Sequence, residues 1–437
     1  MQDGLLLYCH FLMLLEMNRH KKAQECDRKD PLAQYKAAFF HPVNEIYLDG
    51  NSLGKLPLKA KENIASLMQE QWGENLIRSW NDHWLDLPKH LATKLAQLLN
   101  VNAKEVLVGE STSVNLYKVA HALIQSGHYP KQFLTDSLNF PTDNYILEGI
   151  SRENALTKPI CVQYTTDLKA DLNLLKEQII AHPGVICLSL VSYKSAYYYP
   201  MKALNLHAKE HNSIIIWDLS HAVGAVAIDL KETNTLAAIG CTYKYLNGGP
   251  GSPAFIYLED SLIPHLLSPI QGWFGHAKPF DFSQDYLPAR GIEKFDAGTP
   301  TVLSLAAMEA GIDITIEAGI KSIRAKSIAL SNFFLDTFYT ELAPLGYVLE
   351  SPENEAERGA HITLSHQASW RICQCLLQGK EKRPKIIPDF RPPNYIRLGI
   401  APLYTAYEDM WHTIERLKEI AQNKEYEQYS DVRPTVT

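Results

Sequence analysis

Two residues carry the first chemical reading of this chain. Asp218 closes the apolar run Ser213-Ile-Ile-Ile-Trp217, and Lys244 follows the next strand-like segment, in Cys241-Thr-Tyr243-Lys244-Tyr-Leu-Asn-Gly-Gly. An aspartate at the carboxyl end of a buried strand stands where open α/β sheets bind their ligands. A lysine amine condenses with an aldehyde, and a carboxylate holds a pyridine nitrogen protonated, so that the ring draws electrons from a carbanion. The pair points to pyridoxal phosphate. A turn-capping aspartate and a surface lysine beside a glycine turn also account for these two residues taken alone.

Neighbouring patterns support other chemistries less well. Asp218-x-x-His221 offers two metal ligands, but no third and fourth stand at matching spacing, so no metal is expected. Gly50-Asn-Ser-Leu-Gly54-Lys55 lacks the spacing and the closing Ser/Thr of a phosphate loop and reads as a turn lining a site. Cys373-x-Cys375 falls in a helical pattern and reads as core packing rather than redox chemistry.

These residues need a scaffold that brings strand ends together. Strand-like runs at Glu105–Val108, Gln132–Leu134, Val185–Val191, Ser213–Trp217, Ala237–Ile239 and Ala254–Leu258 alternate with helical patterns such as Leu172–Ala181 and Leu204–Glu210. Helix candidates over Ala60–Trp72 and Lys89–Leu99 precede them. Such alternation predicts an α/β fold with a mainly parallel sheet covered on both faces. After Thr299 the pattern changes to a helical stretch over Leu303–Ala343, strands at Tyr347–Leu349, His361–Leu364 and Tyr395–Leu398, and a helix over Tyr407–Gln422. We therefore expect a large domain over 31–300 and a smaller α+β domain over 301–437. At about 150 residues per domain, the 437 residues allow two or three.

Composition excludes several functions. A net charge of −7 argues against a protein that binds nucleic acid by neutralising phosphates over a broad surface. Seven scattered cysteines make a poor disulfide framework, which suits reduced thiols in the cytoplasm. The apolar run Leu5–Leu15 is too short to span a bilayer and lacks the basic flank of a signal peptide. It is expected to be an extra helix or start-site read-through, followed by a solvated linker over Arg19–Lys29, so residues 1–30 remain unassigned.

Eight ordered motifs carry a resemblance. They are Tyr47-Leu-Asp-Gly-Asn51-Ser52-Leu53-Gly54, Trp72-Gly-Glu-Asn-Leu-Ile-Arg78-Ser-Trp80, Ser111-Thr112-Ser113-Val-Asn115 and Phe140-Pro141-Thr142-Asp143. Further on come Trp217-Asp218-Leu-Ser-His221-Ala-Val-Gly224, Tyr243-Lys244-Tyr-Leu-Asn247, Gly272-Trp273-Phe-Gly275-His276 and Arg397-Leu-Gly-Ile-Ala-Pro402-Leu-Tyr404. From about Asp30 to the last helix the chain resembles the kynureninases, pyridoxal-phosphate enzymes of the aspartate-aminotransferase fold (fold type I).

The resemblance implies roles residue by residue. Lys244 would bond the cofactor's aldehyde and act as general base, Asp218 would pair with the pyridine nitrogen, and His221 would sit beside it. Phe140, leading into Pro141 and Thr142, would stack on the ring. Thr112, Ser113, Tyr243, Trp273 and Thr299 would cradle the phosphate, with Trp273 and Thr299 reaching in from a partner subunit. Asp143 and Ser189 would complete the cofactor contacts. Arg397 would hold the substrate α-carboxylate in a two-pronged hydrogen bond that lysine cannot reproduce, with Asn51 and Trp80 also on the substrate. Tyr243 would shuttle protons or serve only as a phosphate anchor.

The implied reaction is hydrolysis of the Cβ–Cγ bond of L-kynurenine to anthranilate and L-alanine, in tryptophan catabolism and NAD biosynthesis. It would run in a cytoplasmic homodimer with no membrane or nucleic-acid partner. Trp80 and Thr299 at the ring-facing positions imply a preference for kynurenine over 3-hydroxykynurenine, although His83, three residues beyond Trp80, would reverse this under a shifted alignment. A cysteine desulfurase of the same fold would need a nucleophilic cysteine on a mobile loop. A catalytically silent relative would have lost Lys244 or Arg397, and both are present.

Two further departures from the family pattern stand out. Ala196 in Tyr193-Lys194-Ser195-Ala196 stands where the family usually has glycine, which puts the loop's backbone in question. The basic run Lys380–Lys385 reads as a solvated hairpin tip.

Overall fold

The computed structural model describes residues 18–166, 168–379 and 383–432. The expected helix over Leu5–Leu15 and residues 380–382 of the basic run lie outside them. Helix α1 (18–28) leads to β1 (Glu45–Tyr47), α2 (Leu58–Ser66), α3 (Leu87–Leu99) and β2 (Val106–Val108). Then come α4 (Thr112–Gln125), β3 (Phe133–Asp136), α5 (Pro141–Glu153), β4 (Ile160–Val162), α6 (Leu172–Ala181), β5 (Val185–Ser189), α7 (Met201–Glu210), β6 (Ile214–Asp218), β7 (Ala237–Gly240) and β8 (Phe255–Leu258). The remainder forms α8 (Val302–Ala318), α9 (Ile320–Thr337), β9 (Val348–Leu349), β10 (His361–Ser365), α10 (Ser369–Gln378), β11 (Lys385–Ile387), β12 (Asp389–Arg391), β13 (Tyr395–Gly399) and α11 (Tyr407–Gln422). Among the described residues no helix is long and apolar enough to cross a membrane.

Seven strands form one sheet in the order β2-β8-β7-β6-β5-β3-β4. The strands β4, β3, β5, β6 and β7 run parallel, and β8 is antiparallel to both neighbours. Every residue of β5 and β6 is buried, because both faces are covered. Ile186 and Leu188 join the core with α3, α6, α7 and α8, whereas Val185 and Cys187 pack with α4 and α5. Alternate side chains point to opposite faces of a strand, so an uninterrupted apolar run is what a doubly covered strand requires. The result is an α/β fold whose parallel strands end together on one edge.

The C-terminal half builds a second sheet, β12-β13-β10-β9, antiparallel throughout, and β11 crosses to pair in parallel with β1. Ile362, Leu364, Ile396 and Leu398 face the core formed with α9, α10 and α11. By strand alternation Thr363, Arg397 and Asp389 fall on the opposite face, side by side in register. Thr363 Oγ1 donates to the Lys194 carbonyl there, joining this face to the loop after β5. The predicted helical stretch over Leu303–Ala343 breaks at Gly319, whose φ is 78°. Its two halves serve different cores: Leu305, Met308 and Ile312 of α8 pack on the seven-stranded sheet, while Leu330 and Phe334 of α9 pack on the smaller one.

The reading of Arg19–Lys29 as a solvated linker is corrected. These residues form most of α1, with Ala23 fully buried in the core under the smaller sheet. His20 stacks on Trp411 at 4.0 Å between ring centroids. Asp27 accepts the backbone N–H groups of Tyr407 (2.7 Å) and Glu408 (2.9 Å), which caps the first turn of α11. Charge density hid the helix, since one small apolar residue and two polar side chains dock it without an apolar stripe.

Ala196 adopts φ 64° and is fully buried, so this loop keeps a left-handed backbone without glycine. Ala196→Gly relieves about 1–2 kcal/mol of backbone strain. The change also forfeits about 0.8 kcal/mol of methyl burial and about 0.4–1 kcal/mol through a freer unfolded chain. The terms nearly cancel, and urea unfolding of Ala196→Gly is expected within about 1 kcal/mol of wild type. Ala196→Val, β-branched in the same conformation and overpacked, is expected to lose about 3 kcal/mol or more. Equal stability of the valine variant would contradict this reading.

Candidate active site

β5 ends on Ser189 and β6 on Asp218, paired in register at the carboxyl edge of the sheet. Asp218 is buried, and its Oδ1 accepts both the Ser220 N–H (2.9 Å) and the Ser220 hydroxyl, which fixes the carboxylate from behind. Burial pushes its pKa up, while the charge of Lys244 and the Ser220 hydrogen bonds pull it down.

Lys244 lies in the turn beyond β7. The Gly54 N–H donates to the Tyr243 carbonyl (2.8 Å) and pins this turn. A Cβ on Gly54 would stand 2.4 Å from both the Lys244 carbonyl oxygen and Asn247 Oδ1, so only glycine permits that approach. The Lys244 ammonium lies 5.8 Å from the centre of the Tyr243 ring. Cys241 first, and burial next, raise the Tyr243 pKa, so its phenol stays protonated at neutral pH.

Two helix N-termini close the site. Ser111 caps α4 by accepting the Val114 N–H (3.3 Å), leaving Thr112 and Ser113 in the first turn, where backbone N–H groups lack helical partners. Phe140 precedes Pro141, whose fixed φ suits the first position of α5, followed by Thr142 and Asp143. The rings of Phe140 and Tyr193 meet edge to face at 5.2 Å. Burial, and then the neighbouring Asp218, push the Asp143 pKa well above the usual carboxylate range. His221 is held well below the ordinary histidine range by burial first and then by Lys244 and Arg397, so its ring is neutral.

The smaller sheet contributes Arg397, 1% exposed, and Arg391. Arg397 pairs with Asp389, donates to the Tyr193 carbonyl, and reaches Ser52 Oγ at 3.2 Å. Arg391 Nε lies 3.0 Å from Asp389 Oδ2.

These groups surround a cavity of about 190 Å³. Of the residues predicted from sequence, Asn51, Thr112, Ser113, Phe140, Thr142, Asp143, Asp218, His221, Tyr243, Lys244 and Arg397 line it. Ser189 lies beside Asp218 and Pro141 opens α5, but neither lines the cavity. Trp80 packs against Trp84 (5.2 Å), Trp273 joins an aromatic cluster with Phe274 and Phe280, and Thr299 is exposed; all three lie outside the lining of this single chain.

Sequence reasoning missed Ser52, Tyr193, Ser220 and Arg391, which also line the cavity. Ser220 had a local signal, since a serine two residues after an aspartate closes a side-chain turn. Two larger cavities, about 760 and 840 Å³, share no residue with this one.

Several buried polar atoms around the cavity lack partners: Asp143 Oδ2, His221 Nδ1 and both side-chain ends of Asn51. Each orphan costs about 1–3 kcal/mol, which marks a site shaped for a polar guest. A flat pyridine with an aldehyde and a phosphate fits the donor set: an amine, a buried carboxylate, an aromatic face and a helix N-terminus. None of the described cysteines lines the cavity, and Cys373 and Cys375 are buried in α10.

Known proteins resemble this chain in family and fold. The aminotransferase class-V family matches residues 46–369, and the kynureninase C-terminal domain family matches 323–417. Among solved structures, the apo cysteine desulfurase of Thermococcus onnurineus NA1 superposes with a TM-score of 0.74 at 16% identity, covering 86% of this chain and 95% of that one. At that identity the likeness establishes the fold alone. Closer in sequence, the kynureninase of Pseudomonas fluorescens is 37% identical over 94% of this chain and 98% of its own length. That of Deinococcus radiodurans is 38% identical over 89% and 93%. With near-complete coverage at this identity, the chain belongs to the kynureninase family.

Proposed function

We propose that this chain hydrolyses the Cβ–Cγ bond of L-kynurenine to anthranilate and L-alanine, with pyridoxal phosphate as cofactor. The observation that carries this reading is the convergence of Lys244, Asp218 and Arg397 on one cavity beneath the N-terminus of α4. Bound there, pyridoxal phosphate supplies an electron sink for negative charge developing beside the substrate amine.

The protein's share is positioning and proton transfer. Asp218, immobilised by Ser220, holds the proton on the ring nitrogen by its charge. Thr112 and Ser113, with the open N–H groups of α4, bind the phosphate, and Phe140 covers the ring face. Asp143, Ser189 and neutral His221 complete the cofactor surroundings. Arg397 fixes the α-carboxylate through its planar fork, and Asn51 offers both unpartnered ends of its amide to the substrate. Lys244 removes the proton at Cα. Water must add to the ketone before the C–C bond breaks, and the protonated Tyr243 phenol donates to the oxygen during that addition or else anchors the phosphate alone; its support is that the phenol lines the cavity and keeps its proton. Release of fluorescent anthranilate from added kynurenine tests the reaction, and its absence from cofactor-loaded protein would refute it.

Kynurenine is the preferred substrate over 3-hydroxykynurenine in this reading, on the strength of Trp80 and Thr299. We expect a clearly larger kcat/KM for kynurenine, and the reverse order would reject both assignments. The working unit is a homodimer in the cytoplasm. Its support is that Trp273 and Thr299 lie outside their own chain's cavity, and Trp273, Phe280 and Phe282 leave large apolar surface exposed. Mixing inactive Lys244→Ala subunits with inactive Thr299→Val subunits is expected to restore part of the activity. Complete inactivity of the mixture, with subunit exchange verified, would show that each chain builds its own site.

A further inference from the structure

Around Arg397 lies a compact arrangement of four charges, three of which the reaction as described does not use. Arg391 and Arg397 supply two positive charges, and Asp389 and Asp49 two negative ones. Asp389 is committed, paired with Arg397 and 3.0 Å from Arg391 Nε. Asp49 is held more loosely. It follows β1, bridges by its backbone to Gly399 beside Arg397, and buries its Oδ1 without a partner. The hydrogen bond to its carboxylate comes from Ser52, whose hydroxyl also receives an Arg397 N–H at 3.2 Å.

The other titratable groups facing Asp49 are Tyr47, Tyr245 and Tyr404, each raised chiefly by burial and therefore neutral. Lys55 lies over the Tyr404 ring at 5.6 Å. The four-charge group is thus balanced before any substrate arrives.

Resting on the assignment of Arg397 to the substrate carboxylate, we infer that Asp49 takes up a proton as that carboxylate binds, keeping the buried charge of the site balanced. A third anion would otherwise face two cations in a buried setting, where an uncompensated charge is strongly disfavoured. Asp49 is the group that yields, because its carboxylate has no cation bonded to it and one oxygen has no partner. Burial and the neighbouring Asp389 already lift its pKa to about 6. An arriving carboxylate lifts it further, so at pH 7 Asp49 passes from mostly charged to mostly neutral, with the proton drawn from solvent.

Two kynurenine analogues isolate this event in the holoenzyme. Desaminokynurenine, 4-(2-aminophenyl)-4-oxobutanoate, keeps the carboxylate but has no amine to react with the cofactor, and 2-aminobutyrophenone lacks the carboxylate as well. Calorimetric titration at pH 7 in buffers of different ionisation enthalpy reads proton uptake directly. The acid is expected to bind with uptake of close to one proton and the ketone with none. Binding of the acid is expected to weaken by up to about tenfold per pH unit above pH 7, as linkage to one proton requires. In Asp49→Asn the uptake disappears and the pH dependence flattens.

Equal uptake with both ligands, or undiminished uptake in Asp49→Asn, would overturn the inference. Should that variant fail to fold, the wild-type comparison of acid and ketone across pH decides alone. An acid that binds no better than the ketone overturns the Arg397 assignment and this inference with it; tighter binding without uptake overturns the inference only.

Discussion

Lys244→Ala is expected to lower kcat/KM for L-kynurenine by at least about 10⁴-fold, the upper range for removing a positioned general base. The loss exceeds that of any other single change at the site because Lys244 is the one amine in a cavity otherwise lined by hydroxyls, carboxylates, an amide, rings and arginines. Borohydride treatment of the wild-type holoenzyme is expected to fix cofactor mass on the protein, and the same treatment of the variant to fix none. Covalent retention by Lys244→Ala would mean that another amine bonds the aldehyde.

The variant also carries an electrostatic signature in cofactor-free protein. Lys244 lowers the pKa of Asp218 and of Asp143, both of which burial raises. Without it those pKa values rise further. A carboxyl whose folded pKa is raised binds its proton more tightly in the native state. Its contribution to stability is fully present below the unfolded pKa of about 4 and is lost as pH rises through the folded value. Urea unfolding of the cofactor-free variant, measured against wild type, should therefore show a deficit that widens between pH 5 and pH 8. A deficit independent of pH would show that Lys244 does not act on these carboxyls through charge.

How much of this was readable beforehand follows from the range of the interactions. Asp218 and Lys244 were legible because each ends or follows a strand, and strand ends are set by short apolar runs; Ser189, inside the expected strand Val185–Val191, came from the resemblance alone. Helix α6 and helix α11 occupy the predicted residues, since their apolar spacing is local. Strand β1 was not readable: its partner β11 lies some three hundred residues away, and three residues leave no periodicity to detect. The same holds for Asp389 and Arg391, on the short strand β12 just beyond the basic run, which carry no local signal of a site. Tyr193 sat in a loop singled out for Ala196. Its place at the site depends on the smaller sheet, where Arg397 donates to the Tyr193 carbonyl and Thr363 to the Lys194 carbonyl. Helix α8 illustrates the remaining gap, because its apolar composition says that a helix packs without saying on which sheet.

Arg397 is where stability and activity can be separated. Arg397→Ala is expected to reduce kcat/KM by about 10²–10⁴-fold, since charge-assisted hydrogen bonds are worth about 1.5–3 kcal/mol each and the fork makes two. Arg397→Lys keeps the charge but not the planar fork, so a loss of about tenfold or more is expected, mainly in KM. Removing one member of a buried ion pair also costs about 3–5 kcal/mol of stability, because the survivor stays buried and charged. Arg391, already 3.0 Å from Asp389, compensates part of that charge, which puts Arg397→Ala at the lower end. Replacing both partners together, Arg397→Met with Asp389→Leu, removes both buried charges and should recover most of the stability. It should recover none of the activity. Urea unfolding and kynurenine kinetics on the single and double variants test this directly. A double variant that regained activity would show that Arg397 serves the fold rather than the substrate, whereas one that stayed as unstable as Arg397→Ala would show that Asp389 is not the charge left stranded.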